Sequence, residues 1–288
     1  ITVLDTLLVK NEIFVSYTIR ENGCDYIAIK KANLNFNFLS FENFFIRESS
    51  SNKFKEKCTA FQLGGRIAFF QKDNQEFILL SAMDITKVGL YETLKDQFNK
   101  NLLIKFSNIL AININERTVK IFSSGHRNPQ GLGVFKNVIL STEHGPRGGD
   151  EVNKIVEGIN YGWPLVSYGE NYNENFYEKD EYKFLKNHEK HGFQEPIYSF
   201  VPSIGISQLI NVPDRFSKRW KDNFLISSLR GGSLFRVYFN NEFTKIISME
   251  KIDIGKRIRD ISYNEKKNYF TIAQENNPPS IGILTVKK

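Results

Sequence analysis

Arg66–Phe70 reads RIAFF and Glu76–Ser81 reads EFILLS, two short apolar runs on either side of a polar QKDNQ break. Each run mixes β-branched and aromatic residues with partial alternation, the pattern of a half-buried strand rather than a helix. The same kind of run recurs along the chain, at Glu12–Tyr17 (EIFVSY), Tyr26–Lys30 (YIAIK), Val119–Phe122, Asn137–Ser141, Asn223–Ser228, Ser233–Tyr238 and Tyr269–Ala273. Asn, Asp, Gly and Lys punctuate the runs. Strand centres spaced roughly 8–12 residues apart point to an all-β sandwich, barrel or propeller.

Grouped in fours, the strands count out as propeller blades. The groups cover residues 1–48, 59–124, 126–168, 196–250 and 257–288, and the last supplies only about three strands. Rings of this kind are usually closed by strands from both termini. The expectation is therefore a single domain over 1–288 of the six-bladed β-propeller type, with about five blades visible and the N-terminal blade missing or incomplete before Ile1. Helical signal is confined to Asp84–Asn99, where Val88, Leu90, Leu94 and Phe98 fit a short helix in an inserted loop. Residues 171–195 read as a long aromatic-containing loop, and a loop of that length is expected to be an ordered cover over a site.

Bulk properties exclude several function classes. The chain has 288 residues, 41% of them hydrophobic, which is enough to build a sizeable core. It holds no apolar run of about eighteen residues, so no helical membrane span is expected. The net charge of +7 is spread over lysines scattered among acidic residues, and no nucleic-acid motif accompanies them. No nucleic-acid partner is expected. Cys24 and Cys58 fit one disulfide or two buried thiols equally well.

Four segments carry the chemistry: Gly125–Gly131 (GHRNPQG), Glu143–Asn153 (EHGPRGGDEVN), Asn160–Pro164 (NYGWP) and Tyr168–Tyr172 (YGENY). In the first, Pro129 fixes its own φ and biases Asn128 towards an extended backbone, so that Arg127 and Asn128 are presented from a stiff loop. In the second, Gly145 and Pro146 put two backbone carbonyls on a tight turn, a seat suited to a hard cation such as calcium. Asp150 and Glu151 can ligate metal, but residues of this kind more often anchor a loop through backbone hydrogen bonds.

In this order, and followed by Val201–Ile204 (VPSI), Ser228–Gly231 (SLRG) and Arg257–Asp260 (RIRD), the segments resemble the soluble PQQ-dependent aldose sugar and glucose/sorbosone dehydrogenases. The resemblance is good from about Ser123 to the end, weaker from Phe61 to Asp84 and faint before that. It implies a six-bladed propeller using pyrroloquinoline quinone (PQQ) and calcium, a small-molecule sugar substrate, an external electron acceptor and a periplasmic or secreted location. It also implies quinone contacts from Arg127, Asn128, Arg230, Arg257 and Arg259, and calcium held by the carbonyls of Gly145 and Pro146. The chemistry is coherent, because PQQ bears three carboxylates and guanidinium forks suit bidentate carboxylate recognition. Arg257 and Arg259, two apart on an expected strand, should share one face. Gathered arginines would repel one another unless an anion or acidic side chains lay among them.

One position breaks the family pattern. Sugar oxidation needs a general base to take the hydroxyl proton, and an imidazole suits that work. Where the family's catalytic histidine precedes a Gly/Ser-Gly-Arg motif, this chain reads Gln62-Leu63-Gly64-Gly65-Arg66. A carboxamide hydrogen-bonds but does not accept a proton at ordinary pH. Of the four histidines, His126 and His144 lie in the motifs at positions other than the base, and the His188/His191 pair in the long loop is expected to be solvent-exposed. The family's Gly-rich segment ahead of Val15-Ser16-Tyr17 is also not found. Two readings stay open: a PQQ- and calcium-dependent oxidation of an aldose to its lactone, and a non-catalytic propeller binding an anionic ligand, glycan or protein.

Overall fold

The chain forms strands where apolar alternation meets turn residues able to take positive φ. Between Gly64–Lys72 and Gln75–Ala82 the connection is Asp73-Asn74, with φ of 50° and 60°. That is the twist a two-residue hairpin turn needs to match the twist of its strands. Lys136-Asn137, with φ of 47° and 66°, does the same in the third sheet. The computed structural model describes residues 2–21, 24–46, 64–82, 107–170 and 183–286.

Five antiparallel sheets run in sequence order, four with four strands and one with three. The first holds β1 (Thr2–Val9), β2 (Glu12–Glu21), β3 (Cys24–Asn33) and β4 (Glu42–Ile46). The second holds β5 (Gly64–Lys72), β6 (Gln75–Ala82), β7 (Asn108–Asn113) and β8 (Val119–Ser124). The third joins β9 (Pro129–Phe135), β10 (Val138–Glu143) and β11 (Asp150–Ile155) to β12 (Tyr198–Phe200). The fourth is β13 (Ile206–Asn211), β14 (Asn223–Ser228), β15 (Ser233–Phe239) and β16 (Ile246–Asp253). The fifth is β17 (Ile258–Asn264), β18 (Tyr269–Gln274) and β19 (Ser280–Leu284).

This is the meander expected of propeller blades, with one change to the grouping. The third sheet takes its outer strand from Tyr198–Phe200, beyond the long loop, whereas the sequence pattern assigns that stretch to the next blade. The pairing of Asp150 with Phe200 and Val152 with Tyr198 fixes the register. Three residues are too short a run for alternation to reveal. The helix expected over Asp84–Asn99 lies outside the described residues.

Contacts divide the chain into two compact units. One comprises residues 1–129, 156–166 and 188–194, and the other comprises 130–155, 167–187 and 195–288. The first unit packs its two sheets around Phe14, Ile29, Ile78, Leu80 and Ile112, all buried. The second has two cores, one around Leu140, Val152, Ile226 and Val237, the other around Leu225, Leu234, Ile258 and Phe270. Each fully buried aliphatic side chain of this kind contributes roughly 1.5–3 kcal/mol of transfer free energy.

In the first unit a buried ion pair fixes the start of β5. The Arg66 guanidinium lies 3.6 Å from the Asp5 carboxylate, with side chains 5% and 13% exposed. The same carboxylate accepts the Ile67 amide at 3.0 Å, and the Ser16 hydroxyl donates to the Gly65 carbonyl at 2.6 Å. Gly65 has a φ of 89°, and a Cβ there would lie 2.3 Å from the Leu4 side chain, so only glycine fits. Removing the carboxylate from a buried pair is costly because the remaining charge stays desolvated. Asp5→Ala is expected to lower unfolding free energy by about 3 kcal/mol in urea titrations. Asp5→Asn, which retains an acceptor, is expected to lose less.

Candidate functional site

In the first unit two of the sequence motifs interlock. Ser124 bridges Asn160, the Trp163 amide donates to the Gly125 carbonyl at 3.0 Å, and the Tyr161 amide donates to the Ser124 carbonyl at 2.9 Å. A Cβ on Gly125 would lie 2.1 Å from the Asn160 side chain, so close approach requires glycine there. The motif positions follow from this clasp. His126 is fully buried, stacked on Tyr161 at 4.6 Å between ring centroids, with Nε2 2.8 Å from the Ser123 hydroxyl. Arg127 is half-buried, its guanidinium 5.3 Å from the centre of the Trp163 ring, a cation–π contact. Asn128 is 1% exposed, at the entry to β9.

His188 departs from expectation. It is 1% exposed, and its Nδ1 meets the Tyr161 carbonyl at 3.0 Å, whereas His191 is exposed. The i, i+3 spacing therefore marks one buried anchor and one surface residue. This part of the long loop is ordered through His188 and through Phe193, which packs against Gly162. Residues 171–182 lie outside the described part.

In the second unit the Gly145–Pro146 turn is buried. It is folded so closely that a Cβ on Gly145 would lie 2.1 Å from the Gly149 carbonyl oxygen. Arg147 and Glu170 exchange backbone hydrogen bonds of 2.9 and 2.8 Å, tying the turn to the YGENY segment. Among the described residues, no backbone amide of the turns and loops donates to the Gly145 or the Pro146 carbonyl. Backbone carbonyls on a tight, buried turn are of the kind that could hold a hard cation. No cluster of three or more His, Cys, Asp or Glu side chains suited to a metal occurs among the described residues.

Behind the turn lies a nest of acidic groups. The Asp150 carboxylate, 2% exposed, accepts the Gly145 amide at 3.1 Å, the Ser203 hydroxyl at 2.9 Å, and the Ile204 and Ile206 amides at 3.0 and 2.9 Å. Asp150 is thus a loop anchor. Glu143 and Glu151 lie together, and the Asn153 amide donates to both, at 2.8 and 3.2 Å. Burial pushes the Glu151 carboxyl well above the usual carboxylate range, the charge of Glu143 adds to the shift, and the Asn153 hydrogen bond offsets part of it. The Tyr168 hydroxyl donates to Glu195 at 2.9 Å, and burial, then that hydrogen bond, push the phenol up to about 12.

Three candidate arginines also belong to this unit. Arg230 is exposed on the loop after β14, with its backbone amide bound to the Ile204 carbonyl at 2.9 Å. Arg257 and Arg259 converge on Glu275, at 3.6 and 2.7 Å, and Arg259 also donates to the Gln130 carboxamide at 3.1 Å. They do not share a strand face by simple alternation, as the sequence spacing suggests. Arg257 precedes β17, and the register slips between Ile258 and Asp260, so Arg259 occupies the irregularity. Both guanidiniums nevertheless reach one carboxylate. Gln62 lies outside the described residues, as do Cys58 and the side chain of Cys24.

Sequence reasoning missed Trp163 as the platform for Arg127 and Glu275 as the shared partner of the arginine pair. A lone Glu in AQENNPP carries no signal by itself. Only the turn at Asn276–Pro279 hints that the residue sits at a strand end.

The chain belongs to the glucose/sorbosone dehydrogenase family, whose model matches residues 4–281. An aldose sugar dehydrogenase of Escherichia coli strain K12 is 29% identical over 230 residues, a match covering 75% of this chain and 58% of that protein. The chain therefore spans less than two thirds of that relative. A solved glucose dehydrogenase superposes with a TM-score of 0.75 at 22% identity, covering 99% of this chain and 82% of the other. The PQQ-bound aldose sugar dehydrogenase of Streptomyces coelicolor gives a TM-score of 0.65 at 17% identity, over 96% of this chain and 76% of the other. The fold is accordingly that of the propeller dehydrogenases, an all-β propeller with five blades among the described residues.

The buried Glu151 carboxyl makes stability pH-dependent in a defined direction. Glu151 binds its proton more tightly when folded, so its contribution is complete below about 4.5 and is lost as pH rises through the folded value. Gln at 151 keeps a donor towards Glu143 without ever ionising. Glu151→Gln should therefore melt above the unsubstituted protein near pH 8, with the difference shrinking towards pH 5, as read by thermal denaturation at both values.

Proposed function

We propose that this chain is the quinone-binding propeller of a sugar dehydrogenase, oxidising an aldose to its lactone with PQQ and calcium and passing the electrons to an external acceptor. The observation that carries this reading is the convergence of Arg257 and Arg259 on the single carboxylate of Glu275. Two guanidiniums directed at one carboxylate form a site suited to a carboxylate-bearing ligand. The family match and the sugar-dehydrogenase relatives support the same reading.

In this scheme Arg257 and Arg259 take a ligand carboxylate in exchange for Glu275, and Arg230, exposed to solvent, takes another. The family resemblance assigns further quinone contacts to Arg127 and Asn128, and within their own unit the Arg127 guanidinium lies over the Trp163 ring. The carbonyls of Gly145 and Pro146 hold calcium. Bound PQQ with calcium supplies a polarised two-electron acceptor. Gln62 can orient the sugar hydroxyl by hydrogen bonding, but it cannot take the proton. Turnover is accordingly slow, and water or another group receives the proton. A periplasmic or secreted location follows from the family resemblance.

Gln62 also favours a second reading, a propeller that retains the ligand pocket without turnover and recognises an anionic ligand, glycan or protein. Reconstitution separates the two. With PQQ and calcium added, an aldose panel should drive slow dye reduction, and Gln62→His should accelerate it about 100-fold, the usual contribution of a positioned general base. Quinone bound without turnover in both forms would establish the second reading and overturn the first.

Charge removal at the arginine pair gives an independent check. Arg257→Ala with Arg259→Ala should weaken PQQ binding by about 100-fold or more, since each charge-assisted hydrogen bond is worth roughly 1.5–3 kcal/mol. Glu275→Gln, which removes the competing carboxylate, should tighten it by about three- to tenfold on the same electrostatic ground. Fluorescence quenching on PQQ addition reads both. Unchanged affinity in both variants would remove these residues from the site.

A further inference from the structure

Asp150 does more than anchor one loop, because its four donors come from different pieces of the candidate site. Oδ1 takes the Gly145 amide, at the head of the carbonyl turn, and the Ser203 hydroxyl. Oδ2 takes the Ile204 and Ile206 amides. The Ile204 carbonyl in turn accepts the backbone amides of Arg230 and Gly231, at 2.9 and 3.0 Å, and the Ser228 hydroxyl at 2.7 Å. The neighbouring Gly205 carbonyl accepts the Leu229 amide at 2.7 Å. At Gly205, with φ of 64°, a Cβ would lie 2.9 Å from the Arg230 nitrogen, so the two segments touch backbone to backbone. An unbroken path of hydrogen bonds therefore runs from the Gly145 turn through one carboxylate to the backbone of Arg230.

We propose that Asp150 is a positioning residue that sets the Gly145–Pro146 carbonyls and the Arg230 segment at a fixed separation, so that one side chain controls both cation and carboxylate recognition. This rests on the quinone and calcium reading above. The carboxylate suits the task because both oxygens accept and neither donates. A carboxamide at this position presents one oxygen and one NH2 group. It must abandon either the Gly145 and Ser203 donors or the Ile204 and Ile206 donors, and so releases one of the two segments. The charge is conveyed by position alone, since Asp150 itself need touch neither ligand.

The test measures two affinities separately on the folded chain. Calcium alone is titrated by calorimetry, and PQQ alone is titrated by fluorescence in the presence of a calcium chelator. If the unsubstituted chain binds neither, the quinone reading fails. If it binds both, Asp150→Asn should weaken each by about tenfold, the scale of a lost charge-assisted hydrogen bond. The Asp150→Asn and Arg230→Ala effects on PQQ should also be non-additive, with the double variant binding no more weakly than Arg230→Ala alone. A purely structural role would give additive losses. Unchanged affinities, loss of only one of the two, or additivity would overturn the proposal while leaving the quinone reading intact. Should Asp150→Asn fail to fold, Ser203→Ala removes a single donor. It should weaken both affinities several-fold, and no loss in either would overturn the proposal.

Discussion

Two positive charges held at one point must have a counter-charge, and around that requirement the candidate site of the second unit is arranged. Like charges about 5 Å apart repel by roughly 3 kcal/mol at an effective dielectric near 20, less where solvent screens them. Arg257 and Arg259 relieve that repulsion by sharing Glu275, which is itself half-exposed. The arrangement is therefore stable without a ligand and is open to exchange with one. A carboxylate bound in place of Glu275 meets donors that are already aimed.

The negative groups obey the opposite constraint. Burying a carboxylate costs several kcal/mol unless donors meet it. The chain satisfies this in two ways. Asp150 is saturated by four donors and so can act as a rigid junction. Glu143 and Glu151 share the Asn153 amide, and burial beside Glu143 raises the Glu151 carboxyl well above the usual carboxylate range. One acidic residue fixes geometry, and its sequence neighbour binds its proton more tightly than an exposed carboxylate does. Alternation along β11 separates Asp150 from Glu151, since successive side chains on a strand face opposite sides.

Much of this was legible in the chain. Alternating runs such as RIAFF and EFILLS marked the strands, and the Asn, Asp, Gly and Lys between them marked the breaks, because both depend only on local physics. The motif order pointed to the family that residues 4–281 match. What sequence did not disclose depends on tertiary placement. The three-residue strand Tyr198–Phe200 is defined by its pairing with β11 rather than by its own pattern. The burial of His188 depends on the Tyr161 carbonyl, 27 residues away in the chain. The partner that Arg257 and Arg259 share, Glu275, comes from just beyond β18 and carries no signal in its own stretch. The choice of Asp150 as anchor over metal ligand was decided by donors from Ser203, Ile204 and Ile206, more than fifty residues downstream.

On the proposed reading, the guanidiniums now neutralised by Glu275 exchange it for a ligand's carboxylate, while the Gly145 and Pro146 carbonyls hold a cation. A crystal structure of the chain grown with PQQ and calcium chloride tests that statement most directly. The account predicts a flat tricarboxylate with an acid group on Arg257 and Arg259, Glu275 turned away, and a cation on the oxygens of Gly145 and Pro146. Density showing both arginines still on Glu275, with the quinone elsewhere or absent and no ion at the turn, would contradict it.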